Sequence, residues 1–211
     1  MISVNLDVDD ELVSFDLPTS WEEVTIGDFV KLFSFDRENM SVMTMVIKSI
    51  SVLGNVDEDK LYMIPINDFE KIAKAMDFLN VEMEPTKEDF VDIDGERYYI
   101  KFDFQNFTMG EVISIETIMS KAENNIFRVM DELLCVFLRK KKENGNLETF
   151  KGDFLNRKEI FSKAPISKVF QVFNFFFAGG NLLLNNTNQS SVTPPKKKRK
   201  SKAGLKTLDN K

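Results

Sequence analysis

Two pairs of short segments alternate apolar and polar residues, the pattern of half-buried β-strands. Residues 2–6 and 12–17 form the first pair, with an acidic turn between them. Residues 90–93 and 97–102 form the second pair, on either side of Asp94-Gly95, a dipeptide that favours a two-residue turn. The pattern predicts two β-hairpins, which we expect to pair into one small sheet.

Most of the remaining chain has apolar residues three and four positions apart, the spacing of amphipathic helices. This spacing predicts helices from Thr25 onward, over 41–53, 57–64, 67–79, 108–121, 125–142 and 153–163, and from Pro165 to 178. Asn67 or Asp68 is the expected N-cap of the fourth helix. The four cations at 139–142 are expected at the C-terminus of the sixth, where they suit the helix dipole.

The predicted fold class is therefore α+β and mostly helical, with the two hairpins packed against a helical body. We expect a single acidic globular domain over residues 1–190, and a division into halves 1–103 and 104–190 is the alternative. Residues 191–211 hold eight of the 28 basic and one of the 34 acidic residues, which leaves a net charge of −13 on residues 1–190. This composition predicts a disordered basic tail.

One short pattern occurs twice in the predicted helical regions. Thr25 is followed three residues later by Asp28, and Thr108 by Glu111, with a glycine before each acid. Each threonine can accept a hydrogen bond from the backbone three residues along, and each acid can reach back, so both positions predict a capped helix start. The pattern indicates either a structural repeat or two independent helix starts.

The complete lack of histidine removes imidazole acid–base catalysis, the usual nucleophilic triads and imidazole metal sites. No glycine-rich phosphate-binding motif is present either. Asp92-Ile93-Asp94-Gly95 imitates the centre of a calcium loop, but Phe90 and Lys101 replace the end ligands, which favours a plain turn. The single Cys135 lies in an apolar run and is expected to be buried. We therefore expect a non-enzymatic protein without cofactor or metal.

The first residues lack the basic and apolar regions of a secretory signal. The longest nearly apolar stretch, 169–178, is far shorter than the ~20 residues that span a bilayer. These features predict a cytoplasmic protein without a membrane partner.

Two groups of residues are candidates for partner binding. The last predicted helix is apolar around more of its circumference than one buried stripe needs, which predicts a protein-binding or self-association face at Phe170, Phe173, Phe176 and Phe177. The tail carries a candidate polyanion-binding run, Lys196, Lys197, Lys198, Arg199 and Lys200. Because the body is acidic, nucleic-acid binding is not expected there, and the tail predicts only weak, non-specific contact.

Residues 17–29, echoed by 107–112, resemble the N-terminal region of tailed-phage tail assembly chaperones and T4-like baseplate-hub assembly proteins. The resemblance is local, covering about the first 35 residues and 104–119. It implies a cytoplasmic protein of the infected host that binds the tape measure protein or a hub component and keeps it competent for assembly. The basic tail matches no feature of the family.

Three functions follow from these patterns. The first is an assembly chaperone that binds a helical client through apolar surface. The second is a structural virion protein of the neck, baseplate or capsid cargo. The third is an adaptor that works through the 196–200 run, for which salt-dependent DNA binding is the expected signature.

Overall fold

The computed structural model of the protein describes residues 1–8, 11–36, 39–84, 88–123 and 125–175, with only the backbone at 174 and 175. These residues are mostly helical, as predicted for the α+β class, and carry two small antiparallel sheets. The strands are β1 (Ile2–Val8), β2 (Glu11–Leu17), β3 (Phe90–Ile93), β4 (Glu96–Ile100) and β5 (Leu138–Arg139). The helices are α1 (Ile26–Phe33), α2 (Val42–Gly54), α3 (Glu58–Tyr62), α4 (Ile66–Ala75), α5 (Met109–Lys121), α6 (Met130–Phe137), α7 (Lys158–Phe161) and α8 (Ile166–Phe175).

Both predicted hairpins are confirmed, but the prediction that they share a sheet is wrong. β1 and β2 form a ribbon of their own, and β3, β4 and β5 form a separate sheet in that order. At the tip of the second hairpin, Asp94 and Gly95 have φ angles of 50° and 78°. This left-handed backbone is what a tight turn between twisted strands requires.

The helix predicted over 125–142 is interrupted. A 3-10 turn at Ile126–Val129 leads into α6, which ends at Phe137, and β5 follows at once. Leu138 pairs with Ile100, and Arg139 pairs with Tyr99. Pairing with β4 therefore holds residues 138 and 139 in an extended conformation, although the composition of this segment favours a helix. Arg139 therefore belongs to β5 and the cations at 140–142 to the segment after it, in which Lys141 forms an isolated bridge with Leu147. The predicted place of these cations at a helix C-terminus is wrong.

The start of α4 also differs from the prediction. The N-cap is Pro65, whose carbonyl oxygen accepts hydrogen bonds from the backbone N–H groups of Asp68 and Phe69. Asn67 and Asp68 lie inside the helix, because the extended backbone of Pro65 already supplies the cap. At the other end, the chain tightens into a 3-10 turn at Met76–Asn80.

The order of elements occurs twice in the described chain. A hairpin, a 3-10 turn, a helix capped by threonine, a second helix, a short helix and a last helix occupy residues 2–75, the first repeat. The same order occupies 90–175, the second repeat, with β5 and a turn inserted after α6. Thr25 and Thr108 stand 83 residues apart, and Pro65 and Pro165, before the last helices, stand 100 apart. The order of elements favours a structural repeat over two independent helix starts.

Each repeat has buried residues at matching places. In the first, β1, β2, α2, α3 and α4 share one apolar cluster that includes Phe15, Ile50 and Leu61. In the second, the rings of Tyr98 on β4 and Phe161 on α7 meet edge to face with centroids 5.0 Å apart. Tyr98 and Phe161 are the counterparts of Phe15 and Leu61 at spacings of 83 and 100 residues, so equivalent core positions are filled in both repeats.

Several hydrogen bonds join the repeats, and two of them connect the backbone of residues 24–26 to that of residues 164–166. The backbone N–H of Ile26 donates to the carbonyl oxygen of Ala164, and that of Ile166 to Val24, both at 2.9 Å. Residues 1–175 form one compact unit. No helix in the described ranges has the length and apolar character needed to cross a membrane.

Gly54, the last residue of α2, allows close packing of α2 on the first hairpin. A Cβ atom there would lie 2.7 Å from Cδ2 of the buried Phe15. We therefore predict that Gly54→Ala lowers the free energy of unfolding by about 1–3 kcal/mol, the range for overpacking, although alanine is the better helix former. Urea unfolding measures this loss.

Gly110→Ala is the matched control, because a Cβ atom there would have its nearest neighbour at 3.7 Å. It should leave stability unchanged or raise it by up to ~1 kcal/mol. Equal stability of the two variants would contradict the prediction.

Candidate partner-binding site

A groove of 670 Å³ lies along one side of α2 in the first repeat. Residues of α2 form the floor of the groove, and the end of α1 forms one wall. The end of α4 and the 3-10 turn after it form the opposite wall. The residues of α2 that line it are Val42, Met45, Val46 and Ser49. Val42 is 79% exposed, so apolar surface remains open to a partner at this place.

Trp21 fixes the shape of the groove at the junction of its walls. Its indole N–H donates to the carbonyl oxygen of Val81 at 2.9 Å. Its ring meets Phe78 edge to face at 5.4 Å and Phe29 at 5.9 Å. Held from three sides, the indole ring gives the groove a rigid aromatic wall, the kind of surface that binds partners at low entropic cost.

The sequence pattern did not reveal this groove. The spacing of Val42, Met45 and Val46 predicts a buried stripe, whereas the buried residues of α2 are Ile47 and Ile50. Apolar residues occupy two adjoining faces of α2, and this excess over one stripe is the signal that would have predicted a binding face.

Three charged residues border the groove on the α4 side. Glu70, Lys74 and Asp77 are exposed and line it beside Ala73. The rim therefore carries two negative charges and one positive charge. This arrangement suits an apolar segment whose flanks bear both signs, with cations in the majority.

The structure shows both predicted helix caps, but they differ in completeness. At α1, the Thr25 hydroxyl accepts from the backbone N–H of Asp28 at 3.2 Å and donates to the Asp28 carboxylate at 2.7 Å. At α5, Thr108 accepts from the N–H of Glu111 at 3.3 Å, and Glu111 accepts from the backbone N–H of Thr108 at 2.7 Å. Only the second is a reciprocal capping box.

Glu111 also anchors the most deeply buried charges in the described chain. Its carboxylate, 1% exposed, accepts two hydrogen bonds from Lys101 at 2.9 Å and lies 3.5 Å from a guanidinium nitrogen of Arg139. Burial alone would raise the pKa of Glu111, but the bonds from Lys101 and Thr108 outweigh it and hold the pKa below its usual range. The carboxylate is therefore ionised and fully engaged, which gives it a structural role.

Arg139 has no exposed surface. It donates to the carbonyl oxygens of Cys135 at 2.9 Å and Leu138 at 2.8 Å, and its guanidinium lies 5.0 Å from the ring centre of Phe150. Burial lowers its pKa. These contacts hold the end of α6 against β5 and α5 through the two terminal guanidinium nitrogens, while the buried Nε has no hydrogen-bond partner among the described residues.

Two adjacent acidic residues of α6, Asp131 and Glu132, form a second group of ion pairs. Lys158 approaches Asp131 at 3.3 Å and Glu132 at 3.2 Å, and Glu132 also binds Lys121 at 2.8 Å. Burial raises the pKa of Asp131 despite Lys158. Each of these two carboxylates has a lysine partner, and the resulting ion-pair network links α6 to α5 and α7.

Cys135 is fully buried on α6, as predicted. Burial raises the pKa of its thiol to about 12. Because the thiolate is the reactive form, we predict that 5,5′-dithiobis(2-nitrobenzoate) labels native protein at pH 8 orders of magnitude more slowly than protein in guanidinium chloride. Equal rates would contradict the buried position.

The structure corrects part of the predicted face on the last helix. Phe173 has no exposed surface and therefore belongs to the core, and Phe170 is half-buried. Phe176, Phe177 and the basic run 196–200 lie outside the described residues. The calcium-like turn is engaged internally, because Asp92 binds Arg97 at 2.8 Å and Asp94 binds Lys163 at 3.0 Å.

Among the described residues, no group of three or more Cys, Asp or Glu side chains could hold a metal ion. The apolar groove of the first repeat is the candidate partner-binding site of the described residues. Comparison of the chain with protein-family models, with curated proteins and with solved structures gives no match.

Proposed function

We propose that this chain is a non-enzymatic assembly protein that binds an apolar helical segment of a partner. The observation that carries the proposal is the exposed groove along α2, lined by Val42, Met45 and the fixed ring of Trp21. Grooves of this kind bind the apolar face of an amphipathic helix.

The local resemblance of residues 17–29 and 107–112 to tail assembly chaperones supports a more specific proposal. In this proposal the client is a long helical chain of the tape measure kind, or a component of the baseplate hub. The client's apolar face fills the groove and its basic flanks meet Glu70 and Asp77. The acidic body, with a net charge of −13 over residues 1–190, then keeps the complex in solution.

Affinity capture tests the proposal in the native source. We expect the tagged chain to co-purify a long, helix-rich protein, and the double variant V42D/M45E to lose it. L12E is the matched control, because Leu12 is 74% exposed and does not line the groove. Capture that survives V42D/M45E would exclude the groove. Stoichiometric presence of the chain in purified particles would favour a structural virion protein.

A further inference from the structure

The groove face of α2 has a counterpart in the second repeat, 83 residues later. The α2 residues that line the groove are Val42, Met45, Val46 and Ser49. The residues at the corresponding positions are Asn125, Arg128, Val129 and Glu132. The two stripes therefore occupy the same place in the two repeats.

The C-terminal end of α1 contacts the first part of the counterpart stripe, whereas Glu132 at the other end of the stripe binds Lys121 and Lys158. Asn125 donates to the carbonyl oxygen of Phe33 at 2.6 Å, and Arg128 lies 3.5 Å from that of Ser34. The Phe127 ring lies 4.8 Å from the ring of Phe33 and 5.6 Å from that of Phe29. Among the described residues, the end of α1 thus packs on this part of the second repeat, whereas the α2 groove of the first repeat stays open.

The counterpart of α1 is α5, and it presents an exposed apolar face. Along α1, Ile26, Phe29, Val30 and Phe33 form an apolar stripe in which Ile26 and Phe29 are buried and Val30 and Phe33 are half-buried. The corresponding stripe of α5 is Met109, Val112, Ile113 and Glu116. Met109 is 71% and Ile113 is 54% exposed, whereas Ile26 is fully buried. The described chain therefore carries both an empty groove and an exposed helix face of the kind that fills it.

We propose that this protein associates head to tail with a second copy of itself. The Met109–Glu116 face of α5 in one copy docks in the α2 groove of the next, as the end of α1 packs against residues 125–128 within each chain. Lys74 at the rim offers an opposite charge to Glu116. Because the two surfaces differ, the contact is heterologous, and its repetition gives open chains or a ring.

This inference uses the groove of the proposed function but needs no client. A client helix and α5 of a second copy are competitors for one site, so client binding releases the self-associated form. Self-association then protects the groove until a client arrives.

Sedimentation velocity of the purified full-length chain tests the proposal. We expect a mean mass above the 24.3 kDa of one chain, and a mass that rises across roughly a hundredfold range of concentration. The groove variant V42D/M45E and the face variant M109E/I113E should each stay at one chain's mass, with association weakened roughly tenfold or more. L12E should associate as the unaltered protein does.

Mixing the two variants supplies the decisive result. The groove variant retains α5 and the face variant retains the groove, so an equal mixture should form dimers that grow no further. Circular dichroism and the unfolding midpoint show that each variant is folded. A single-chain mass for the unaltered protein at every concentration, or a mixture that stays monomeric, would overturn the proposal.

The face variant also separates this proposal from the client proposal. M109E/I113E keeps the groove, so it should capture client at least as well as the unaltered chain. Client capture without self-association would overturn only the head-to-tail contact. Self-association without client capture would overturn only the proposed function.

Discussion

Replacing Glu111 with alanine should lower the free energy of unfolding by about 3–5 kcal/mol, the range for breaking a buried ion pair. The carboxylate is 1% exposed, and it accepts hydrogen bonds from Lys101 and from the backbone N–H of Thr108 while it forms an ion pair with Arg139. Without it, Arg139 keeps its charge inside the protein with carbonyl oxygens as its only acceptors. Urea unfolding followed by circular dichroism measures the loss.

Asp28→Ala is the matched control, because Asp28 holds the same position in the cap of α1. Its side chain is 28% exposed, accepts a hydrogen bond from the Thr25 hydroxyl and forms an ion pair with an exposed lysine. Thr25 still caps the helix in Asp28→Ala, so we expect a loss of about 1 kcal/mol, the size of one hydrogen bond. If Glu111→Ala costs no more than Asp28→Ala, the buried pair with Arg139 contributes nothing to stability.

The contribution of Glu111 should depend on pH. Its folded-state pKa lies below the ordinary value of 4.5, so its stabilisation is complete above that value and is lost as the pH falls through the folded-state pKa. We expect the difference in unfolding free energy between the unaltered protein and Glu111→Gln to narrow as the pH falls below 4.5. The raised pKa of Asp131 acts equally in both proteins and cancels. A constant difference would contradict the assignment.

Phe173→Ala should also cost about 3–5 kcal/mol, the range for removing a buried aromatic ring. Phe173 has no exposed surface although it belongs to a helix whose phenylalanines suggest an outer binding face. Phe170→Ala, on the same helix but half-buried, should cost about 1–2 kcal/mol, because less apolar area is lost from the core. Thermal unfolding compares the two. If Phe173→Ala leaves stability unchanged but abolishes partner capture, the predicted binding face is right and the buried position is wrong.

Sequence patterns predicted the structure correctly where interactions between residues close in sequence determine it. The alternation along β1 and β2, the Asp94-Gly95 turn and the threonine caps depend on neighbours within a few residues, and each predicted the observed element. A second cue to the repeat was available in Pro65-Ile66 and Pro165-Ile166, which stand before the last helix of each repeat.

Tertiary contacts decided the rest. Leu138 and Arg139 become a strand because β4 offers its edge, and no pattern near residue 138 encodes that edge. The same holds for the pairing of Glu111 with Arg139, 28 residues away. The groove is also a tertiary feature, because α2 needs the walls supplied by Trp21 and α4 before its second apolar face becomes a site.

The hydrogen bonds between Ile26 and Ala164 and between Ile166 and Val24 impose an order on folding during synthesis. The apolar cluster of the first repeat needs only residues up to Met76 and can form early. Ile26 must wait for Ala164, 138 residues later, which at 5–20 residues per second is roughly 7–28 s of translation. During that interval the nascent chain exposes one side of α1. Ribosome-bound chains that stop before Pro165 should therefore recruit general folding chaperones, and chains that extend past α8 should not.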